Sequence, residues 1–177
     1  MSVYLGLILF VGTGVVMLTA VLSAWRARRG WTVTRAIWRS GLEAAILGSL
    51  VGIAALTLDP FQGMIGESRF DLVPFNVLLN SIRLGEFWVR IALFDLLGNV
   101  ALYAPLGFLV ALRFGRLPVT AWILLAVALP TAIEVLQATV LARSGDITDI
   151  IANATGAIAG FIVGRLLHRA PSGDGHR

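Results

Sequence analysis

Five long apolar stretches constrain the fold of this chain more than any other feature of its sequence. A helix needs about 20 mostly apolar residues to span the hydrocarbon core of a bilayer. Five windows meet that length, and they are Tyr4–Trp25, Ser40–Leu58, Ala92–Leu112, Val119–Val140 and Ile150–Leu167. Because 58% of the residues are hydrophobic and only 14% are charged, the sequence predicts an all-α integral membrane protein, a bundle of about five transmembrane helices.

The residue types that the chain lacks exclude several kinds of chemistry. There is no cysteine, and all 14 basic residues are arginine, which rules out thiolate sites, a cysteine nucleophile and a lysine base. The two histidines, His168 and His176, lie at the charged carboxyl-terminal end, so the apolar body holds neither a Ser/His/Asp triad nor a histidine metal site. The arginines are spread over several loops, and we expect no nucleic-acid partner.

The distribution of arginine predicts the orientation of the chain, since cationic loops favour the cytoplasmic side. Four arginines fall on one side of the predicted helices, and they are Arg69, Arg83, Arg90 and Arg143. The other side collects ten, and they are Arg26, Arg28, Arg29, Arg35, Arg39, Arg113, Arg116, Arg165, Arg169 and Arg177. We therefore predict an external amino terminus and a cytoplasmic carboxyl terminus. The segment Arg26–Arg39 is also a candidate docking site for anionic lipid, although setting the topology explains it more simply.

The connection between the second and third windows, residues 59–91, is long and rich in apolar side chains. Such a segment is predicted to lie on the outer leaflet or to re-enter it, because apolar side chains disfavour water. Pro74 is well placed to fix the entry to a short interfacial helix that begins near Phe75.

Polar side chains recur at helical spacing inside the third and fourth apolar windows and across the start of the fifth. They are Asp95 and Asn99 in the third, Glu134 and Gln137 in the fourth, and Asp146, Asp149 and Asn153 at the start of the fifth. Residues three or four apart share a helix face, and at about 1.5 Å per residue these groups reach similar depths below the outer boundary. Because a polar group facing lipid is unsatisfied, the three stripes are predicted to face one another around a carboxylate-rich pocket open to the outer side.

Simpler roles compete for some of these residues. Asp146 stands where a helix N-cap belongs, and capping explains it as well as function does. Interhelical hydrogen bonding explains Asn99 and Gln137 equally well. For Glu134 we favour a functional role, because placing a carboxylate inside a bilayer costs at least about 3 kcal/mol.

Prolines and glycines mark the same windows. Pro105 and Pro130 each remove a backbone hydrogen bond and predict a local kink. The fifth window contains Gly156, Gly160 and Gly164 at spacings of four, a pattern that permits close helix packing and predicts a helix contact within the chain or between copies of it. The third and fifth windows also share Asp-x-x-x-Asn followed by Gly-Phe, a weak sign of an internal repeat.

Four motifs in order resemble the VanZ-like family of bacterial membrane proteins: RFDLVPF, NVALYAPLGF, IEVLQ and RSGDITDIIANATGAIAG. The resemblance implies a bacterial cytoplasmic membrane protein associated with reduced susceptibility to teicoplanin, a lipid-tailed glycopeptide antibiotic. The resemblance assigns a VanZ-like domain to residues 61–168. Hydropathy predicts a helix pair in residues 1–60, which carry no family motif, and the polar composition of residues 169–177 predicts a disordered cytoplasmic tail. Asp71 departs from the family, which more often has asparagine there. The matching positions to watch are Arg69, Pro74, Asn99, Pro105, Glu134, Gln137, Arg143, Asp146, Asp149 and Asn153.

These observations leave three hypotheses for function. The favoured one is binding of a polar head group, from a lipid-linked envelope precursor or a lipophilic antibiotic among the membrane lipids, with Arg69 and Arg143 contacting phosphate or carboxylate. The second is an enzyme that modifies a lipid head group, with Glu134, Asp146 and Asp149 as catalytic candidates. No cofactor is evident, although the same oxygens suit Mg²⁺ or Ca²⁺. The third is a small transporter or flippase, which would need a homo-oligomer assembled through the glycine-rich helix faces.

Overall fold

The computed structural model describes residues 2–58, 70–141 and 144–169. Within these residues the chain forms six helices and two strands of two residues each. The helices are α1 (Ser2–Arg28), α2 (Val33–Thr57), α3 (Asn76–Leu84), α4 (Glu86–Arg113), α5 (Val119–Val140) and α6 (Ile147–Arg169), and the strands are β1 (Phe70–Asp71) and β2 (Gly145–Asp146). Arg169, the first residue of the predicted tail, is the last residue of α6, and residues 170–177 lie outside the described part of the chain.

Five helices, all except α3, are long and apolar enough to cross a membrane. This confirms the predicted fold class. Helix α2 begins at Val33, seven residues before the predicted window, so Arg35 and Arg39 lie on a helix and not in a loop. Arginine is a good helix former whose long side chain reaches past the apolar zone, and an apolar window therefore underestimates the length of the helix.

The segment between α2 and α4 contains the predicted short helix. Helix α3 begins directly after Phe75, which has a left-handed backbone with φ of 59°. It ends at Leu84, and the next residue, Gly85, has φ of 109° and ψ of 172°, which suit only glycine. Helix α4 starts at the next residue, six positions before the predicted window, because the turn at Gly85 leaves no loop. The preceding residues 59–69 lie outside the described part of the chain.

A short strand pair joins this segment to the start of α6, and the sequence analysis did not predict it. Phe70 pairs with Gly145 and Asp71 with Asp146 in parallel. The backbone N–H of Phe75 also donates to the Thr148 hydroxyl at 2.9 Å. These contacts fix the entrance to α3 against the amino-terminal end of α6.

Helices α4 and α6 are parallel neighbours whose backbones touch through glycine. A Cβ atom added at Gly160 would lie 1.9 Å from the carbonyl oxygen of Ala104, and one added at Gly107 would lie 1.9 Å from that of Ala157. A Cβ at Gly156 would likewise lie 2.1 Å from the Val100 oxygen. The predicted glycine face is therefore occupied by α4 of the same chain, and oligomerisation through glycine stays a prediction.

Helix α5 completes the core beside this pair. The Trp122 ring stacks on Phe161 with 5.2 Å between centroids, and its indole N–H donates to the Ala157 carbonyl at 3.2 Å. Pro105 lies within α4 and Pro130 within α5, and both helices continue through them. The Pro130 side chain is fully buried.

An ion-pair cluster ties α1, α2 and α4 together at the end of the bundle opposite to α3. One Glu43 oxygen accepts hydrogen bonds from Nε and Nη2 of Arg113 at 2.8 and 2.5 Å, and the other accepts from Arg26 Nη2 at 2.6 Å. The three side chains are only 12–23% exposed. The sequence analysis missed Glu43, whose only signal was that it is one of two acids on the arginine-rich side, the other being Asp174.

We expect Glu43→Gln to lower the free energy of unfolding by about 2 kcal/mol, because two partly buried guanidiniums would lose their carboxylate. The measurement is the unfolding midpoint of the purified protein in detergent. Glu86→Gln is the matched control, since Glu86 pairs with Arg90 at a site where both side chains are at least 75% exposed and such pairs contribute about 0–1 kcal/mol. Equal unfolding midpoints for Glu43→Gln and Glu86→Gln would contradict a stabilising role of the ion-pair cluster around Glu43.

Candidate functional site

The structure contains a cavity of about 300 Å³ that we call the polar cavity. It lies at the end of the bundle where α4 and α6 begin and where α2 and α5 finish. Six residues singled out from the sequence line it, and they are Asp95, Asn99, Glu134, Gln137, Asp149 and Asn153. Two come from each of α4, α5 and α6, so the three polar stripes meet at one level.

Hydrogen bonds hold the walls of the polar cavity in place. The Asn99 amide donates to Oδ1 of Asp149 at 2.7 Å, which links α4 to α6. The Gln137 amide donates to the Thr57 carbonyl at 2.6 Å, which links α5 to the end of α2. Thr57 also lines the cavity. Sequence reasoning missed it because a threonine at the end of an apolar window marks a boundary and gives no further signal.

Glu134 supports the loop that leads into α6. Its Oε2 accepts a hydrogen bond from the backbone N–H of Asp146 at 2.9 Å, and the residue is only 4% exposed. The interaction crosses from α5 to β2. A buried carboxylate with a backbone donor is held in a fixed position, so Glu134 both lines the cavity and positions the start of α6.

Two buried polar atoms near these carboxylates have no hydrogen-bond partner among the described residues, Oδ1 of Asn153 and the hydroxyl oxygen of Tyr103. Both residues are almost fully buried, with 2% and 0% exposure. Leaving such groups unpaired costs about 1–3 kcal/mol each. Asn153 lines the polar cavity, so its Oδ1 can accept a hydrogen bond from a donor located in that cavity.

Asp146 has a capping role that the structure makes explicit. Its Oδ1 accepts a hydrogen bond from the Thr148 backbone N–H at 2.7 Å, the geometry of an N-cap at the start of α6. It does not line the polar cavity. It borders a smaller cavity of about 30 Å³ that shares Asp95 and Asp149 with the larger one. The capping interpretation therefore accounts for this side chain, and a catalytic role for it stays a prediction.

Asp71 has two donors to its carboxylate. The Asn76 amide donates to Oδ2 at 2.7 Å and the Val73 N–H donates to Oδ1 at 3.0 Å. These hydrogen bonds, that of Asn76 first, hold the pKa of Asp71 below its usual value. Asparagine at this position would have one acceptor oxygen and would lose one of these bonds.

Other predicted positions stand apart from the polar cavity. Pro74, Pro105 and Pro130 do not line it. Arg69 and Arg143 lie outside the described residues, so their predicted contacts with a ligand stay predictions. Among the residues that the structure describes, no group of three Asp, Glu, His or Cys side chains could hold a metal ion. Binding of Mg²⁺ or Ca²⁺ likewise stays a prediction.

The fold and the cavity define a multi-pass α-helical membrane protein with a polar cavity between its helices at one end. A family model described as VanZ/LLP1 matches residues 44–168. The chain therefore belongs to this family, which confirms the resemblance seen in its motifs and supports a VanZ-like membrane protein tied to antibiotic resistance. The match begins within α2 and includes Thr57. Comparisons with curated proteins and with solved structures find no match.

Proposed function

We propose that the polar cavity binds the polar head group of an amphiphile, either a lipid-linked envelope precursor or a lipophilic glycopeptide antibiotic, and so influences antibiotic susceptibility. The observation that carries this proposal is the meeting of six polar side chains from three helices around one cavity. Burying so many polar groups in an apolar bundle costs free energy, and such groups inside membrane helices usually mark a functional site. Oδ1 of Asn153 has no hydrogen-bond partner among the described residues.

The surroundings of the cavity favour a ligand with a lipid tail. Phe94 lines the polar cavity and is 81% exposed, so the cavity borders the outer apolar surface of the bundle. Beyond it, Phe87 and Trp88 at the start of α4 are also at least half exposed. A head group inside the cavity would leave its hydrocarbon chain against these rings and in the lipid.

The cavity wall favours hydroxyl and amine donors in the head group. Three of its described side chains are carboxylates, three are amides and none is basic. Sugars and amino sugars carry the complementary donors. In this proposal Arg69 and Arg143 contact phosphate or carboxylate groups near the entrance, and the entrance faces the outer leaflet of a bacterial cytoplasmic membrane, since most arginines lie at the other end.

A membrane-embedded enzyme is the second candidate. The observation that favours it is that Glu134 and Asp149 line the same cavity with different partners, a backbone N–H for Glu134 and the Asn99 amide for Asp149. Two carboxylates in different environments can divide the roles of general acid and general base. Hydrolysis or group transfer on a lipid head group fits that arrangement.

Comparison of envelope lipids separates the two candidates. We expect cells with wild type and cells with equally expressed Asp149→Asn to show the same lipid profile by mass spectrometry, because a binding protein forms no product. Purified wild-type protein should retain teicoplanin or a lipid-linked peptidoglycan precursor, whereas Asp149→Asn should lose most of this retention. Asp71→Asn is the control, since Asp71 lies outside the polar cavity.

Each of the other outcomes contradicts the binding proposal in a specific way. A lipid species that appears only with wild type would make the protein an enzyme, and its mass difference would identify the reaction. Retention that is equal in wild type and Asp149→Asn would remove the polar cavity as the binding site.

A further inference from the structure

A second cavity, which we call the basic cavity, lies at the opposite end of the bundle and has a volume of about 610 Å³. It forms where the start of α2, the end of α4 and the end of α6 come together. Its polar lining consists of Arg35, Arg39, Arg113, Arg116 and His168, and none of its described lining residues is acidic. The family resemblance and the polar cavity do not account for this site.

Much of the positive charge at the basic cavity is uncompensated. Arg113 shares Glu43 with Arg26, so that group of three keeps one positive charge. Arg35 contacts the Trp31 ring at 5.1 Å from its centroid. Among the described residues no carboxylate pairs with Arg39 or Arg116. Several guanidiniums around one cavity repel each other unless an anion lies between them.

Close packing of α6 against the α4–α5 connection shapes this end of the cavity. A Cβ atom added at Gly115 would lie 2.9 Å from Cδ2 and 3.1 Å from Nε2 of His168. Glycine at this position therefore lets His168 approach the loop that carries Arg116. From the sequence, only the segment Arg26–Arg39 is a candidate for lipid docking. The fold is needed to show that Arg113, Arg116 and His168 lie beside Arg35 and Arg39.

We propose that the basic cavity binds the phosphate-bearing head group of an anionic membrane lipid. Guanidinium groups bind phosphate through paired N–H donors, and basic pockets between helices on the cytoplasmic side recognise such head groups. Trp38 lines the cavity and is 62% exposed, and tryptophan is enriched at the level of lipid head groups. The cavity volume also suits a head group better than a bare phosphate ion.

Native mass spectrometry of the full chain tests this proposal. The protein is released from nanodiscs that contain equal amounts of phosphatidylglycerol and phosphatidylcholine with the same acyl chains. We expect wild type to retain phosphatidylglycerol preferentially and Arg39→Gln/Arg116→Gln to retain it about 30-fold less, since each arginine near a head group contributes about 1 kcal/mol, or about fivefold in affinity. Arg83→Gln/Arg90→Gln is the matched control, because it removes the same charge from exposed positions at the other end.

The remaining outcomes overturn the proposal or identify another source of phosphate. Equal retention by wild type and Arg39→Gln/Arg116→Gln, or equal loss in the control, would overturn it. Displacement of the lipid by an equimolar soluble glycerol phosphate would show a site for a free phosphate compound and would also overturn it. If the double variant does not fold, Arg116→Gln alone provides the same test, because Arg116 is exposed and its substitution should not affect folding. We expect Arg116→Gln to lower retention of phosphatidylglycerol severalfold.

Discussion

Gly160→Val should prevent the protein from folding stably, with a loss of more than about 3 kcal/mol in the free energy of unfolding. The reason is the contact between α4 and α6, where even a Cβ at this position would lie 1.9 Å from the Ala104 oxygen and 3.0 Å from the Phe108 nitrogen. Both are backbone atoms, so no rotamer change can relieve the clash and the helices must separate. The measurement is the yield of monodisperse protein and its unfolding midpoint in detergent.

Gly52→Val is the control for this effect. A Cβ at Gly52 in α2 has nothing within 4 Å, so the same chemical change should cost little beyond the small difference in helix propensity. Wild-type stability in the Gly160→Val variant would show that α4 and α6 do not pack through their backbones. Equal damage from both substitutions would point to a general intolerance of larger side chains at glycine positions.

Glu134→Gln should weaken binding of the head group about 100-fold, which corresponds to about 2.7 kcal/mol. Glutamine keeps the shape of the side chain but replaces one acceptor oxygen with a donor and removes the charge. The backbone N–H of Asp146, now bound by Oε2 of Glu134, and the donors of the ligand would compete for the single remaining oxygen. The measurement is retention of teicoplanin or the lipid-linked precursor by the purified protein.

Glu86→Gln provides the comparison for Glu134→Gln. It makes the same chemical change at an exposed position at the start of α4, outside the polar cavity, and should leave retention unchanged. The unfolding midpoint of Glu134→Gln must be measured alongside, because this residue also supports the loop before α6. Normal retention in a stable Glu134→Gln protein would contradict the assigned role of the carboxylate.

The arrangement of the polar cavity follows from the sequence to a large extent. The spacing of Asp95 and Asn99, or of Asp149 and Asn153, determines which side chains share a helix face. The rise per residue then determines how far each lies from the helix end. Both properties are local to one helix, and for this reason the sequence alone predicts that the polar groups of α4, α5 and α6 lie at one level.

Contacts between distant parts of the chain could not be predicted in the same way. The pairing of Phe70 with Gly145 has no periodic signal, because each strand has only two residues. Glu43 of α2 binds two arginines that come from different helices, Arg26 from α1 and Arg113 from α4. Hydropathy shows that such groups lie near a helix end, but not which ends become neighbours.

The backbone contact between α4 and α6 also limits how the polar cavity can change shape. A pair of helices joined along several glycine positions behaves as one rigid unit, since neither can slide or tilt without a collision between main-chain atoms. Of the three helices that supply the cavity's polar side chains, only α5 is free of this constraint, and it carries Glu134 and Gln137. The end of α2, which lines the cavity with Thr57, is also outside the rigid pair. Admission of a larger ligand would therefore require displacement of α5 or of the end of α2, which makes these two walls the parts of the molecule that determine the size of ligand the cavity accepts.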